Sequence, residues 1–460
     1  MDFITLGIFL AIAGILFLGF ISELLLKKFE IPGVLLLLFA GLIAGQAISM
    51  YGAEYGLSQQ TFLSFKSIIG ALTLVMLLFD GGMLLNIYTV IKNSIRPMVY
   101  GVLIIIFTAA AVGLITHFVF GWNLLVGLLL GVVLGGSSPA ITIPIAKRLK
   151  VDDKTRTFIM LEPSFTDVMC AVLVVTLTGS FFSGATLDPR ETGKDLLAQF
   201  SIGAVIGGII GVIWLVLLKK VEKITEYIYM ATFAVLLLMF VVVEYFEASG
   251  YIAALIFGLV LGNRNEIANM LKLEVQAKDE TERLRPFHAE LSFLVRTFFF
   301  VYLGLIVPLP GIKVLLISAL VMVGLIVARY IATVLSTMKS EMAKYRMLIS
   351  SFVDRGLSVA VLSTYPLSYG GIIPANVDLF PSIAFTIIVF SSIVSTIGIY
   401  MFRPKEVLDI GEPPDEAAAG LEKHKPYKKH ERELVTRYIQ KEPKHKETLE
   451  EERAKEPSDS

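Results

Sequence analysis

Apolar stretches of about 20 residues recur between residues 4 and 402 and are separated by short polar segments. A helix of that length and composition can cross the hydrocarbon core of a bilayer. The pattern predicts thirteen membrane-spanning helices, here called spans 1 to 13, at residues 4–27, 31–48, 62–85, 98–119, 122–146, 157–182, 198–218, 225–245, 250–263, 288–307, 313–337, 345–367 and 380–402. The chain is therefore predicted to be an all-α, polytopic membrane protein.

Two of these spans are interrupted in the middle. Span 5 contains GGSSPAITIP at residues 135–144, and span 12 contains SSFVDRGLSVAV at residues 350–361. Such breaks free backbone groups, which are tolerated at membrane depth only beside protein or a wet cavity. If spans 1–6 and 8–13 are two inverted repeats, spans 5 and 12 are equivalent, and paired broken helices indicate the midplane site of a secondary transporter. We expect the two breaks to cross there; a pair of ordinary kinks is the alternative.

Composition supports the membrane class and excludes others. The chain is 55% hydrophobic and 17% charged with a net charge of zero, and its mean hydropathy is +0.74. The neutral balance gives no reason to expect a nucleic-acid partner. The single cysteine, Cys170, excludes an internal disulfide and a multi-cysteine metal site. Because no basic segment precedes the first apolar run, we expect span 1 to be a retained helix rather than a signal peptide.

Charges outside the spans predict the orientation and a separate tail. Twenty Lys and Arg residues lie in the loops after odd-numbered spans, against Arg190, Lys194 and Lys313 after even-numbered spans. Because cytoplasmic loops carry the basic excess, we expect an outside N-terminus and a cytoplasmic C-terminus in the cell membrane. Residues 403–460 hold thirteen basic and fifteen acidic side chains and few large apolar ones. They are predicted to form a solvated tail beside the transmembrane domain at 1–402.

Ionisable side chains within the spans are costly and are functional candidates by default. Most lie in spans 6, 10, 11 and 12, which favours one site with supporting ion pairs: Glu162, Asp167, Arg296, Arg329, Asp354 and Arg355. Asp80, at the cytoplasmic end of span 3, either caps a helix or lines a vestibule. Glu162 and Thr166 share a helix face, whereas Asp167 lies about 140° around the helix from Glu162. One carboxylate is therefore expected to be neutralised by a structural arginine and the other to face a cavity as the binding group.

The order and spacing of these motifs resemble the monovalent cation:proton antiporters, especially the NhaP-like sodium/proton exchangers, over residues 1–402. EPSFTD at residues 162–167 resembles the family's Glu-Ser-x-x-Asn-Asp, and SSP at 137–139 stands where the family has Thr-Asp-Pro. IVARYIATVL at 326–335 resembles the span whose arginine pairs with the span 6 glutamate. DRGLSVAVL at 354–362 resembles the family's Gly-Leu-Arg-Gly-Ala stretch in span 12.

The resemblance implies roles for the candidate residues. Asp167 is expected to carry the proton and bind Na⁺, with Thr166, Ser137 and Ser138 as further oxygen ligands. Glu162 and Arg329 are expected to form a structural ion pair, and four residues remain supporting or alternative carriers: Asp80, Asp354, Arg355 and Arg296. Compared with the family pattern, Thr replaces Asn at 166, Pro replaces Ser at 163 and Ser replaces Asp at 138. The site is therefore expected to have one carboxylate fewer, which leaves the choice among Na⁺, Li⁺ and K⁺ open.

Competition between a proton and a cation for one carboxylate is the expected mechanism. A poorly hydrated carboxylate favours its neutral form, and either occupant neutralises it. This predicts exchange of Na⁺ or Li⁺ for H⁺ by alternating access, with no cofactor and no GxxxxGK[ST] nucleotide motif. Thr166 stands where the electrogenic branch has a second aspartate, which favours electroneutral exchange, although Arg296 lies about where that branch has its pairing lysine. The resemblance also implies a homodimer, and Gly203, Gly207 and Gly211 form a face suited to internal packing or to that interface.

Other functions stay open at this point. K⁺/H⁺ antiport would use the same ligands, and a proton-uncoupled channel or a sensor could share the fold. A bile-acid-like symporter is a further alternative. An intramembrane aspartyl protease is disfavoured because FDGG at residues 79–82 does not match its Gly-x-Gly-Asp signature. The chain is not expected to be an enzyme.

Overall fold

The computed structural model describes residues 3–29, 33–52, 62, 64–85, 95–182, 189–221, 228–246, 248–270, 281–368 and 373–404. The predicted tail lies outside the described residues, except for its first two positions. Within the described ranges the chain forms sixteen α-helices and no β-strand. They are α1 (Phe3–Phe29), α2 (Val34–Tyr51), α3 (Lys66–Leu84), α4 (Ile95–Phe120), α5 (Leu124–Val133), α6 (Pro139–Arg148), α7 (Asp153–Phe182), α8 (Pro189–Val221), α9 (Ile228–Tyr245), α10 (Gly250–Gly262), α11 (Arg264–Met270), α12 (Thr281–Ile306), α13 (Ile312–Ser336), α14 (Arg346–Ser351), α15 (Leu357–Ser368) and α16 (Phe380–Phe402).

The predicted all-α membrane architecture is confirmed. Eleven of the thirteen spans correspond to one helix each, and spans 5 and 12 correspond to the pairs α5–α6 and α14–α15. In the part of the chain that the structure describes, six helices are long and apolar enough, by length and composition, to cross a membrane: those at Val34–Tyr51, Arg96–Phe120, Asp153–Gly179, Phe200–Leu218, Ile312–Ser336 and Val377–Phe402. The hydrophobic pattern does not predict α11, because its seven residues, RNEIANM, are mostly polar.

The breaks in spans 5 and 12 meet each other. Helix α5 ends at Val133 and α6 begins at Pro139, whose missing N–H suits the first position of a helix. Residues 352–356 likewise separate α14 from α15. The N–H of Ser138 donates to the main-chain oxygen of Asp354 at 3.2 Å, so the two breaks satisfy part of each other's backbone. We call this meeting of residues 134–138 with residues 352–356 the crossing.

Helix α7 carries both carboxylates of the EPSFTD motif at residues 162–167. It begins after Asp152, whose side chain accepts hydrogen bonds from the N–H and the hydroxyl of Thr155, each at 3.0 Å. Burial raises the pKa of the Asp152 carboxyl, but these hydrogen bonds outweigh it, and the pKa lies below its ordinary value. Pro163 lies within α7 without ending it, so Glu162 and Asp167 belong to one continuous helix.

The small-residue face of α8 packs inside the protein. A Cβ atom at Gly207 would lie 2.5 Å from the main-chain oxygen of Ala253, and one at Gly203 would lie 2.5 Å from that of Ser249. Both contacts belong to the beginning of α10 or its N-cap. The glycines therefore let α8 approach α10 closely, as small residues do between membrane helices. Of the two interpretations of this face, internal packing is the one that the contacts support.

Candidate ion-binding site

Glu162 and Arg329 form an ion pair in the interior of the protein. Nη2 of Arg329 donates to Oε2 of Glu162 at 2.8 Å, and each residue is 1% exposed. Ser137 joins the pair, because its hydroxyl accepts from Nη1 of Arg329 at 2.7 Å and donates to Oε1 of Glu162 at 3.0 Å. The ring of Tyr100 lies 5.6 Å from the guanidinium carbon. The structure thus places the predicted pair within a network of hydrogen bonds that fixes α7 to α13.

Thr166 lies on the Glu162 side of α7. Its hydroxyl is 3.1 Å from the main-chain oxygen of Glu162 and 3.2 Å from Oε1 of the same residue, and it accepts the N–H of Ser137 at 3.4 Å. This placement follows from the four-residue spacing, which puts Thr166 over Glu162 on the helix. Thr166 and Ser137 are therefore engaged with the ion pair, and their proposed role as ligands of the transported cation stays a prediction.

Asp167 faces the crossing instead. Its Oδ1 accepts a hydrogen bond from the hydroxyl of Ser358, in the first turn of α15. A Cβ atom at Gly136 would lie 2.9 Å from the same oxygen, so the glycine in the break of span 5 makes room for the carboxylate. Among the described residues, no Lys or Arg nitrogen lies within 4 Å of Asp167. Glu162 and Asp167 thus have different partners, a buried arginine for Glu162 and a neutral hydroxyl for Asp167.

Ser138 lines a cavity that leads away from the crossing. The cavity measures about 140 Å³, and Ser138, Gly356 and Leu357 form part of its wall. Its other side includes Glu23, near the end of α1, and Arg296 of α12. Glu23 lies near the C-terminal end of span 1, whereas Arg296 lies within span 10. The cavity therefore lies between one end of the bundle and the residues next to Asp167.

Asp354 and Arg355 are both fully buried in the crossing. The carboxylate of Asp354 accepts hydrogen bonds from the hydroxyls of Thr142 on α6, at 3.2 Å, and Ser395 on α16, at 3.4 Å. Nη1 of Arg355 lies 3.5 Å from the hydroxyl of Ser137, which connects this pair to the Glu162 network. Sequence reasoning missed Thr142, Ser358 and Ser395, whose hydroxyls reach the carboxylates from distant parts of the chain.

Asp80 and Arg296 belong to a separate cluster. Asp80 of α3 accepts a hydrogen bond from the hydroxyl of Ser292 on α12. Arg296 lies one turn further along α12, with its Nη2 3.9 Å from Oε2 of Glu23. None of these contacts involves Asp167 or the crossing. The structure therefore places these two alternative carriers near each other, with Arg296 lining the cavity, rather than in contact with Asp167.

Two broken helices cross beside a carboxylate on a third helix that has no Lys or Arg nitrogen within 4 Å among the described residues. This arrangement defines the protein as a multi-pass membrane protein of the secondary-transporter class. The family model described as "Sodium/hydrogen exchanger, transmembrane" matches residues 12–403. The chain therefore belongs to the sodium/hydrogen exchanger family, which is a family of transporters and not of enzymes.

Individual relatives are similar to the chain over most of its membrane part. The K(+)/H(+) antiporter NhaP of Alkalimonas amylolytica is 26% identical over 397 residues, which are 84% of this chain and 65% of the relative. The chain thus spans less than two thirds of that protein. Na(+)/H(+) antiporter 1 of Methanocaldococcus jannaschii is 25% identical over 406 residues, covering 84% of this chain and 89% of the relative. The structure of the sodium proton antiporter MjNhaP1 from the same organism, at pH 8, matches with a TM-score of 0.65 and 22% identity over 87% of this chain and 99% of the other.

Proposed function

We propose that the protein is a secondary active antiporter that exchanges Na⁺ or Li⁺ for H⁺ across the cell membrane by alternating access. The observation that carries the proposal is the separation of the two carboxylates on α7. Glu162 is neutralised by Arg329 within 2.8 Å, whereas Asp167 meets only a hydroxyl among the described residues. A carboxylate with no fixed countercharge needs a mobile one, and a proton and a monovalent cation are both suitable.

The oxygen atoms around Asp167 suit a hard cation. The hydroxyl of Ser358 contacts the carboxylate directly, and Ser138 lies two residues from Gly136 in the same break. Hydroxyl and carboxylate oxygens bind hard cations in general. The kind of ligand present therefore does not distinguish Na⁺ from K⁺. The cavity lined by Ser138, Glu23 and Arg296 supplies a route from one end of the bundle toward this site.

K⁺/H⁺ antiport is the second candidate, because the relative from Alkalimonas amylolytica carries that name. The deciding experiment uses the purified protein in liposomes loaded with a pH-sensitive dye and tests Na⁺, Li⁺ and K⁺ in turn. We expect proton movement on addition of Na⁺ or Li⁺. A response to K⁺ alone would select the second candidate. Cation flux without proton movement, or no flux, would overturn antiport in favour of a channel or a sensor.

Exchange is expected to be electroneutral, one proton for one cation. Glu162 forms an ion pair with Arg329, and Asp354 is buried next to Arg355 in the chain. We therefore expect Asp167 to be the one acid of the site that gains and loses a proton. A membrane potential of 100 mV changes the free energy of moving one net charge across the membrane by about 2.3 kcal/mol. Clamping the potential with valinomycin and K⁺ should therefore change the Na⁺-driven rate by less than about twofold, against tens of fold for a net charge. A large acceleration would contradict the one-to-one ratio and would implicate Asp354 or Asp80 as a second proton carrier.

The membrane, the orientation and the oligomeric state of the transporter are further proposals. We place it in the cell membrane with an outside N-terminus and a cytoplasmic tail, because the basic loop residues follow the odd-numbered spans. We also propose a homodimer, on the family resemblance. Since Gly203 and Gly207 pack against α10, the interface is expected to use other, lipid-facing residues.

A further inference from the structure

Positive charge accumulates at the crossing. Helices α6 and α15 both begin there, at Pro139 and Leu357, and the N-terminus of a helix carries a partial positive charge of about half a unit. Arg355 adds a full charge, and it is buried with its Nε and Nη2 lacking a hydrogen-bond partner among the described residues. Such a site needs a compensating acid in order to attract a cation.

Asp354 is placed to provide that compensation. Its carboxylate accepts the hydroxyl of Thr142, in the first turns of α6, while its main-chain oxygen accepts the N–H of Ser138, the N-cap residue of the same helix. Ser138 makes no side-chain capping hydrogen bond of its own. Asp354, a residue of span 12, therefore accepts hydrogen bonds from the beginning of α6.

We propose that Asp354 balances Arg355 and the two helix N-termini, so that the crossing accepts a cation beside Asp167. Asp354 is on this view a positioning residue for the charge of the site. The proposal rests on the proposed antiport function.

The test moves the acidic side chain from position 354 in span 12 to position 138 in span 5. Three variants are compared with wild type: Asp354→Asn, Ser138→Asp and the double variant. An aspartate at 138 has room, because Ser138 lines the cavity of about 140 Å³. Asp354→Asn leaves Arg355 uncompensated near the site, so we expect the KM for the transported cation to rise about tenfold or more, with a smaller change in kcat. The double variant should return the KM to within about threefold of wild type, because the total charge of the crossing is restored.

Groups facing the crossing from neighbouring helices are unchanged in all variants: Tyr100, Glu162, Asp167, Cys170 and Arg329. A double variant whose KM is no better than that of Asp354→Asn would overturn the proposal. Asp378→Asn serves as the matched control, since it makes the same chemical change at an exposed position outside the crossing and should leave the KM unchanged.

Thermal unfolding in detergent separates this proposal from the antiport function. Asp354→Asn should unfold at a lower temperature than wild type, and the double variant should recover, whether or not the wild type exchanges cations. Absence of exchange in the wild type with recovery of stability in the double variant would reject antiport and keep the placement of the acid. Absence of that recovery would reject the placement itself.

Discussion

Asp167→Asn is expected to abolish cation-dependent proton release while the protein folds as well as wild type. The amide keeps the size of the side chain, and its oxygen can still accept the hydroxyl of Ser358. The amide can neither carry the exchanged proton nor neutralise a cation, and removing a half-buried charge that has no basic partner within 4 Å among the described residues is not expected to weaken the fold. The measurement compares proton release by purified wild type and variant in matched liposomes between about pH 6 and pH 9, a range that extends to both sides of neutral pH.

Two further variants separate the carrier from its surroundings. Ser358→Ala removes one hydrogen bond to the carboxylate and should weaken the apparent cation affinity by roughly twofold to tenfold, without abolishing exchange. Asp378→Asn should behave as wild type, because Asp378 is exposed in the short helix before α16. An exchange rate of Asp167→Asn within a few-fold of the wild-type rate would show that another residue carries the proton. Asp80 and Asp354 would then be tested next.

Glu162→Ala and Arg329→Ala are each expected to yield poorly folded protein, and a double variant that replaces both by apolar residues is expected to recover. Both residues are 1% exposed, so removing one side chain leaves the other as an unpaired buried charge. That loss costs about 3–5 kcal/mol, whereas replacing a whole buried pair with apolar groups is often close to neutral. Thermal unfolding of detergent-purified protein, together with yield, measures the difference.

An exposed pair on the same helix provides the control for these variants. Asp153 lies 2.6 Å from Arg156, and its side chain is 93% exposed. Asp153→Ala should change stability by no more than about 1 kcal/mol, because exposed pairs contribute little. Equal losses at Asp153 and Glu162, or a double variant no more stable than either single one, would refute the structural role of the Glu162–Arg329 pair.

Most of the fold could be predicted from the sequence, because each span must carry its own apolar pattern. Thirteen spans and both breaks follow from residues that lie next to each other in the chain, such as Pro139 in span 5 and Gly356 in span 12. The short helix α11 could not be predicted in this way, since a polar helix outside the spans has no hydrophobic signal. The two faces of α7 were also predictable, because helical spacing alone puts Thr166 near Glu162 and turns Asp167 away.

Contacts between distant segments could not be predicted. Ser358 is 191 positions from Asp167, and Thr142 is 212 positions from Asp354. Neither hydroxyl stands out locally, because a serine or threonine in a membrane helix commonly bonds its own backbone. The family resemblance instead indicated Thr166, Ser137 and Ser138 as oxygen ligands beside Asp167. In the structure the hydroxyl that contacts Asp167 is that of Ser358, and Thr166 and Ser137 contact the ion pair.

Cys170 sits directly beneath the break in span 5. It is the only thiol in the chain and is fully buried, and a Cβ atom at Gly135 would lie 3.0 Å from its sulfur. In this conformation the covering backbone shields the thiol from maleimide reagents, and a conformation that separates the two breaks is expected to expose it. The chain thus carries its own chemical reporter of that separation, and labels at introduced cysteines elsewhere require Cys170 to be replaced first.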